Sequence, residues 1–519
     1  MSDIEIQKIL DEMRPILENF SSIVTLGATE KVELLFREFA QMSPQSSRTQ
    51  CYYGMLLDRM GRHHEASMAY QYAIKLDPIF NNTSCEVGKK KLVVLLHNNN
   101  DLDHIAPVIY KWSKVDAGPI IVLWAPDSLG HKNAEFLLHF IGNLKGVQLY
   151  MPDPVILSVL NWLNGLRVEG TLSREPETYG LAHALFDALL PPNQEGVFVT
   201  DHYIVPLTFE LCAAAHHRNV KCVGLPHGES VVTNRKYSAK DYTLSLEVLD
   251  LDENRKAFGV FDSIVVPSRV NFDILSFVPE KKKSILGSAR NSDEWLEVLS
   301  SIVPELKLED SEGKLKIVIF MPSSGYSIYM DELVRSIRML TRFPDVAIAV
   351  KMHPREADFG ALFPFQDKIE EMSPSSWIKY IGNDVYTPRL LEWGDVFISI
   401  GTGAVFHPLK RSKPVLELSY AMGFVTALAR GLPCTDIRDR DRLIQLIWQF
   451  KELSAADRGA AFYDKIEVAS FLKEFTEGPG GPVLDVYIKH LSSLCNHVDQ
   501  PVPANWATEG AARNPPSHL

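Results

Sequence analysis

The stretch DVFISIGTGAVFHPLKRSKPVLEL, residues 395–418, fixes the kind of fold to expect. Residues 395–400 form an apolar run of strand length, Gly401-Thr402-Gly403 interrupts it, a helix should follow, and Pro414 opens a second apolar run to residue 418. Short runs that are apolar throughout belong to parallel strands covered on both faces. Glycines at a strand-to-helix turn let backbone N–H groups approach an anion, with the helix dipole adding to the attraction. Upstream, residues 315–320 form another run leading into Met321-Pro-Ser-Ser-Gly325, a helix follows over 330–340, and 346–351 form a strand ending in His353-Pro354. An earlier series has the same texture, with apolar runs at 91–97, 120–124, 146–150, 196–200, 221–225 and 263–267. Amphipathic helical stretches at 133–144, 179–190 and 207–217 separate them. The expected fold class is α/β, with two doubly wound, Rossmann-like domains preceded by a small all-α segment.

The first 88 residues read as helices, over 4–20 and 31–42 and then through a segment that resembles one tetratricopeptide repeat. That segment carries Gly54, Leu56, Leu57, Gly61, Glu65, Ala66, Tyr70, Ala73 and Leu76-Asp77-Pro78, with small residues where two helices approach. A plain helical hairpin packed on the next domain is the competing reading, because one repeat cannot build a solenoid. Such helices usually present a surface, so their removal is expected to leave two folded α/β domains. The expected division is 1–88 helical, 89–304 first Rossmann-like domain, 305–499 second Rossmann-like domain, and a disordered tail over 500–519.

A length of 519 residues suits about three domains, and 46% hydrophobic with 23% charged residues is ordinary globular composition. A net charge of −12 argues against non-specific nucleic-acid binding. The six cysteines (Cys51, Cys85, Cys212, Cys222, Cys434, Cys495) include no CxxC pair, as in reduced compartments. The N-terminus lacks a basic stretch followed by an apolar one, and no run reaches membrane-spanning length. These features lead to the expectation of a cytoplasmic protein, at most peripheral at the inner membrane face.

Four strand ends carry residues that a packed core would not select. Leu225-Pro-His227-Gly228-Glu229 places a histidine suited to proton transfer at a strand's carboxyl end, with Glu229 able to orient it or to serve as the base itself. Leu286-Gly287-Ser288-Ala289-Arg290 offers a tight turn and a guanidinium that fits phosphate or carboxylate. Lys351-Met-His353-Pro354-Arg355 fixes two donors after a strand. Ser399-Ile-Gly401-Thr402-Gly403 adds hydroxyls to a glycine turn, and Ser323 and Ser324 count with the same phosphate-binding group. There is no Walker A loop and no GxGxxG after the first strand, so a dinucleotide-dependent oxidoreductase is not expected. Asp-x-Asp pairs at Asp101/Asp103, Asp250/Asp252 and Asp439/Asp441 are little more than the two or so expected by chance, and no metal site is expected.

The order His-Gly, Gly-Ser-x-Arg, Met-His-Pro, Ser-x-Gly-Thr-Gly and Lys-Pro-Val resembles the two-Rossmann (GT-B) glycosyltransferases of bacterial surface and capsule polysaccharides. Among them are the Kdo transferases, the polysialyltransferases and the CDP-glycerol glycerophosphotransferases. The resemblance spans roughly residues 90–487 and implies two domains facing a cleft. It implies that His353 and a hydroxyl of Ser399 or Thr402 bind donor phosphate, and that His227 is the base as in the glycerophosphotransferases. The polysialyltransferases use an acidic residue before a glycine instead, so His227 and Glu229 both stay open. The implied activity is metal-independent transfer of a sugar or polyol phosphate from a nucleotide-activated donor, with no cofactor, to a saccharide or glycoconjugate acceptor. A protein partner would fit the N-terminal helices. A nucleotide-sugar 2-epimerase and a non-catalytic interaction protein are the alternatives. The nucleotide (CMP, CDP or UDP), the sugar, the acceptor and the stereochemical outcome stay open.

Overall fold

The computed structural model describes residues 3–18, 28–77, 90–125, 134–170, 172, 175, 179–202, 206–226, 258–303, 305–309, 311–321, 328–351, 377–382, 385–423 and 425–495. Two parallel sheets carry the chain. The first contains β1 (Lys91–Leu96), β2 (Ile120–Trp124), β3 (Val147–Tyr150), β4 (Gly196–Asp201), β5 (Lys221–Leu225), β6 (Ser263–Val266) and β7 (Lys283–Ile285), in the order β3-β2-β1-β4-β5-β6-β7. The second contains β8 (Leu315–Phe320), β9 (Val346–Lys351), β10 (Trp377–Ile381), β11 (Val396–Ser399), β12 (Val415–Leu418) and β13 (Asp436–Ile437), in the order β10-β9-β8-β11-β12-β13. Both orders are Rossmann-like, and each reverses direction beside its first strand. The expected α/β fold of two Rossmann-like units is the observed one.

The central strands are apolar throughout because both of their faces are buried. In β1, Leu92, Val94 and Leu96 face one core while Val93 and Leu95 face the other. Alternation of side chains along a strand divides a continuous apolar run between two layers in this way. The second sheet is likewise enclosed by separate cores on its two faces.

The N-terminal helices do not form a core of their own. Met13, Phe36, Leu56, Tyr70 and Ile74 belong to the same buried cluster as Val93, Leu95, Leu181 and Leu185 of the first α/β unit. The hairpin of Ser47–Arg59 and His63–Leu76 closes tightly, since a Cβ at Gly54 would lie 2.5 Å from the Tyr70 ring. The Tyr70 hydroxyl donates to Asp58 Oδ2 at 2.9 Å, which satisfies a phenol that is otherwise wholly buried. The hairpin then packs on the helix Gly180–Leu189. The competing reading of the sequence, a hairpin resting on the next domain, describes this packing. Its removal would bare the apolar face of that helix.

The chain also returns to the first unit at its end. The helix Val483–Leu494 buries Val483, Leu484, Tyr487 and Leu491 in the core that contains Leu92 and Val94. Residues 483–495 thus cover the first sheet, although they follow the second unit in sequence. An amphipathic helix shows which of its faces is buried but not which sheet it covers. The return is fixed at Gly287, where Ser288 N donates to Thr476 O at 2.8 Å and the Tyr487 hydroxyl donates to Gly287 O at 3.0 Å. Gly287 has φ +87, and a Cβ there would lie 2.6 Å from Gly478 N. The tail from residue 500 lies outside the described residues. Among the described residues, no helix is long and apolar enough to cross a membrane.

Two outcomes are expected. Gly287→Ala combines a left-handed backbone with a backbone clash and should cost more than about 3 kcal/mol. Gly313→Ala, at φ +74 with no atom within 4 Å of the new methyl, should cost only about 1–2 kcal/mol. Thermal melting of both variants checks this, and equal losses would mean that the crossing is not tight. Deletion of residues 1–89 should give aggregation-prone protein by size-exclusion chromatography, whereas a monodisperse, fully folded product would show that the helices are dispensable.

Candidate functional site

The carboxyl edge of the second sheet is built around the turn after β11. Ser399, almost fully buried, pairs in register with Glu417 of β12. Gly401 turns the chain at φ +71, a conformation that side chains with a Cβ disfavour. The Thr402 hydroxyl then accepts from Ala404 N at 3.3 Å and starts the short helical turn Gly403–Val405, which runs into Phe406–Lys410. Four of the residues singled out in the sequence, Ser399, Gly401, Thr402 and Gly403, thus share one turn.

Glu417, which the sequence did not mark, closes this turn from below. It is fully buried, and its Oε2 accepts from the Thr426 hydroxyl. Burial raises its pKa to about 7, against the opposing pull of the Thr426 hydroxyl and the Gly401 and Ala429 amides. A carboxyl that changes charge near neutrality thus lies against the glycine turn.

The first unit supplies the opposite wall from the turn after β7. Ser288 is buried, with its Oγ accepting from Asn291 Nδ2 at 3.0 Å, so it holds the turn from inside. Arg290 reaches outward, with Nη2 3.4 Å from Asp103 Oδ2 and Nη1 3.3 Å from His104 Nε2. Asp103 also accepts from the Tyr386 hydroxyl of the second unit at 2.6 Å. Burial, together with the charge of Asp103, pushes the Tyr386 phenol well up, which keeps it a neutral donor.

Asp103, Arg290, Trp295, Tyr386, Gly403 and His407 line a pocket between the two units. Arg290 and Gly403, singled out on separate domains, meet in it. His407 is held by Glu392, with Nε2 3.2 Å from Oε1, and Glu392 also accepts from the Ser300 hydroxyl at 2.9 Å. Arg411 donates to Ser300 Oγ at 2.7 Å, and Lys410 pairs with Asp293 at 2.7 Å. The helix Asp293–Ile302 of the first unit is thereby clamped to the wall that carries the glycine turn.

At the carboxyl edge of the first sheet, His97 follows β1 and Asp201 ends β4, the two strands that flank its switch point. His97 N donates to Asp101 Oδ2 at 2.8 Å, and its Nε2 lies 3.2 Å from Thr208 Oγ1. Burial and the neighbouring Asp201 carboxyl push Asp101 well above the usual carboxylate range. The Asp-x-Asp pair at 101/103 was read as chance, yet each member has a distinct place: Asp101 in this buried cluster and Asp103 in the pocket. Tyr386, His407 and Glu417 carried no motif, and only their proximity in space marks them. His227, Glu229, Ser323, Ser324, His353 and Arg355 lie outside the described residues.

No protein-family model matches the chain, and no curated protein matches it. Solved structures of similar fold include S. aureus MnaA with UDP, at TM-score 0.47 and 12% identity, covering 79% of this chain and 99% of that one. UDP-GlcNAc 2-epimerase from Neisseria meningitidis bound to UDP-GlcNAc aligns at TM-score 0.45 and 15% identity, covering 78% and 100%. A glycosyltransferase from Rickettsia africae aligns at TM-score 0.42 and 12% identity, covering 79% and 100%.

The raised carboxyl of Glu417 sets a pH dependence. Between about pH 4.5 and about pH 7 the folded chain holds a proton on Glu417 that the unfolded chain has released. Stability from this group is therefore present below the unfolded pKa and lost as pH rises through about 7, by on the order of 3 kcal/mol. Glu417→Gln should flatten this part of the profile in thermal melts between pH 5 and pH 8. An unchanged slope would mean that Glu417 is not the titrating group.

Proposed function

We propose that the protein transfers a sugar, or a polyol phosphate, from a nucleotide-activated donor to a saccharide or glycoconjugate acceptor. The observation that carries this reading is the narrow pocket lined by Arg290 of one Rossmann-like unit and Gly403 of the other, which must widen to admit a ligand. Open α/β sheets bind ligands at the carboxyl ends of their strands, and this pocket lies at that edge of both sheets. The Gly403 end of the turn lines this pocket and leaves room for a phosphate to approach the backbone, with Arg290 as a counter-charge on the other wall. His353 and Arg355, and with them Ser323 and Ser324, are assigned to the same phosphates.

In the reaction, an acceptor hydroxyl attacks the anomeric carbon of the donor, or its phosphorus when a polyol phosphate is moved. The bond to the nucleotide's leaving oxygen breaks, and the negative charge that develops there is stabilised by groups already in position. The acceptor proton goes to His227, with Glu229 orienting it or taking its place. Exclusion of water between the two units protects the donor from hydrolysis.

Thermal shift and calorimetry with UDP, CDP and CMP select the nucleotide, because a ligand bound only by the folded state raises the melting temperature. His353→Ala should weaken binding of the selected nucleotide about 10- to 100-fold in a folded protein. His227→Ala should lower turnover roughly 10²–10⁴-fold with little change in nucleotide affinity. Incubation of labelled nucleotide-sugar without acceptor should leave the sugar unchanged. Conversion to its 2-epimer would establish the epimerase instead, and binding of no nucleotide would favour an interaction protein.

A further inference from the structure

The opposite, amino-terminal edge of the first sheet carries a cluster that the proposed reaction does not use. His216 lies in the last turn of the helix Pro206–His217, Cys222 is the second residue of β5, and Asp262 immediately precedes β6. His216 Nε2 is 3.1 Å from Asp262 Oδ2, and the ligating atoms of all three side chains lie within 4.8 Å of one another. Ligand atoms around a tetrahedral zinc ion lie roughly 3.3–3.6 Å apart, so only small side-chain adjustments separate this cluster from a coordination shell. We propose that His216, Cys222 and Asp262 bind a zinc-class metal ion, with water as the fourth ligand.

The surroundings suit a cation reached from one side. Cys222 is wholly buried, whereas the side chains of His216 and Asp262 are 24% and 25% exposed, giving an entry path and room for water. Lys221 Nζ holds Asp262 Oδ1 at 3.1 Å, and Cys222 N donates to Oδ2 at 2.9 Å. Both contacts orient the carboxylate so that Oδ2 faces the imidazole, the outer support that ligating carboxylates usually have. A divalent ion bound there would displace the proton of the Cys222 thiol. A sulfur–nitrogen–carboxylate set selects zinc or cobalt over magnesium or calcium. Bound there, the ion would tie the end of one helix to two neighbouring strands, far from the pocket.

The test uses the full chain, stripped with chelator and titrated with Co²⁺. Expected are sulfur-to-cobalt charge-transfer absorption and the intense visible bands of tetrahedral cobalt, both lost on addition of Zn²⁺. Cys222→Ser and His216→Gln should weaken Zn²⁺ binding at least about tenfold. Cys212→Ser removes a thiol on the facing helix, outside the cluster, and should leave binding unchanged. Absence of thiolate–cobalt absorption in the folded wild-type chain overturns the site and leaves a His–Asp ion pair beside a core cysteine. Equal Zn²⁺ affinity in wild type and Cys222→Ser overturns it as well. If a variant fails to fold, the wild-type cobalt spectrum decides alone.

Discussion

The crossing of two backbones at Gly287 and Gly478 is the constraint on which the rest of the molecule depends. A Cβ on Gly478 would lie 2.4 Å from the carbonyl carbon of Leu286, and one on Gly287 would lie 2.6 Å from Gly478 N. Only two glycines allow such an approach, and it brings the chain back to the first sheet after the second unit is complete. The returning helix Val483–Leu494 then covers the apolar face that the helix Asn99–Lys114 leaves open. The same turn projects Arg290 towards the second unit. One close contact therefore sets both the joining of the two units and the position of the charge between them.

The units also meet through polar contacts at helix ends, beside apolar ones such as Val270 against a core of the second unit. Tyr386 to Asp103, Ser300 to Glu392 and Arg411 to Ser300 each join a donor on one unit to an acceptor on the other. Contacts of this type give little net stability apiece, because water satisfies the same groups when the units separate. They define an orientation without locking it. A pocket between two units held in this way can admit a ligand and close over it, as transfer from a hydrolysable donor requires.

Much of the fold was legible because parallel strands buried on both faces announce themselves as short apolar runs. The strands at 120–124, 221–225, 315–320 and 346–351 and the helix at 330–340 appear where the sequence placed them. The strands that went unrecognised are edge strands. β10 is only partly buried because one of its sides is open, β7 is a three-residue Lys-Ser-Ile after a charged run, and β13 has two residues. Glycine turns were legible as turns, but Gly287 was read as leaving room within its own loop when it leaves room for a distant strand. Tyr386 and Glu417 carried no sequence signal, and the role of Asp103 lies in a partner 283 residues away. The cluster of His216, Cys222 and Asp262 was hidden for the same reason: no ligand spacing links residues that meet only through strand pairing.

The central claim is that the pocket between the two Rossmann-like units receives the diphosphate of a nucleotide-activated donor. A crystal structure of the full chain with a bound nucleoside diphosphate tests it most directly. The account predicts phosphate oxygens against the backbone at Gly403, with the Arg290 guanidinium on the opposite wall of the pocket. A nucleotide bound elsewhere on the chain, with that turn untouched, would contradict it.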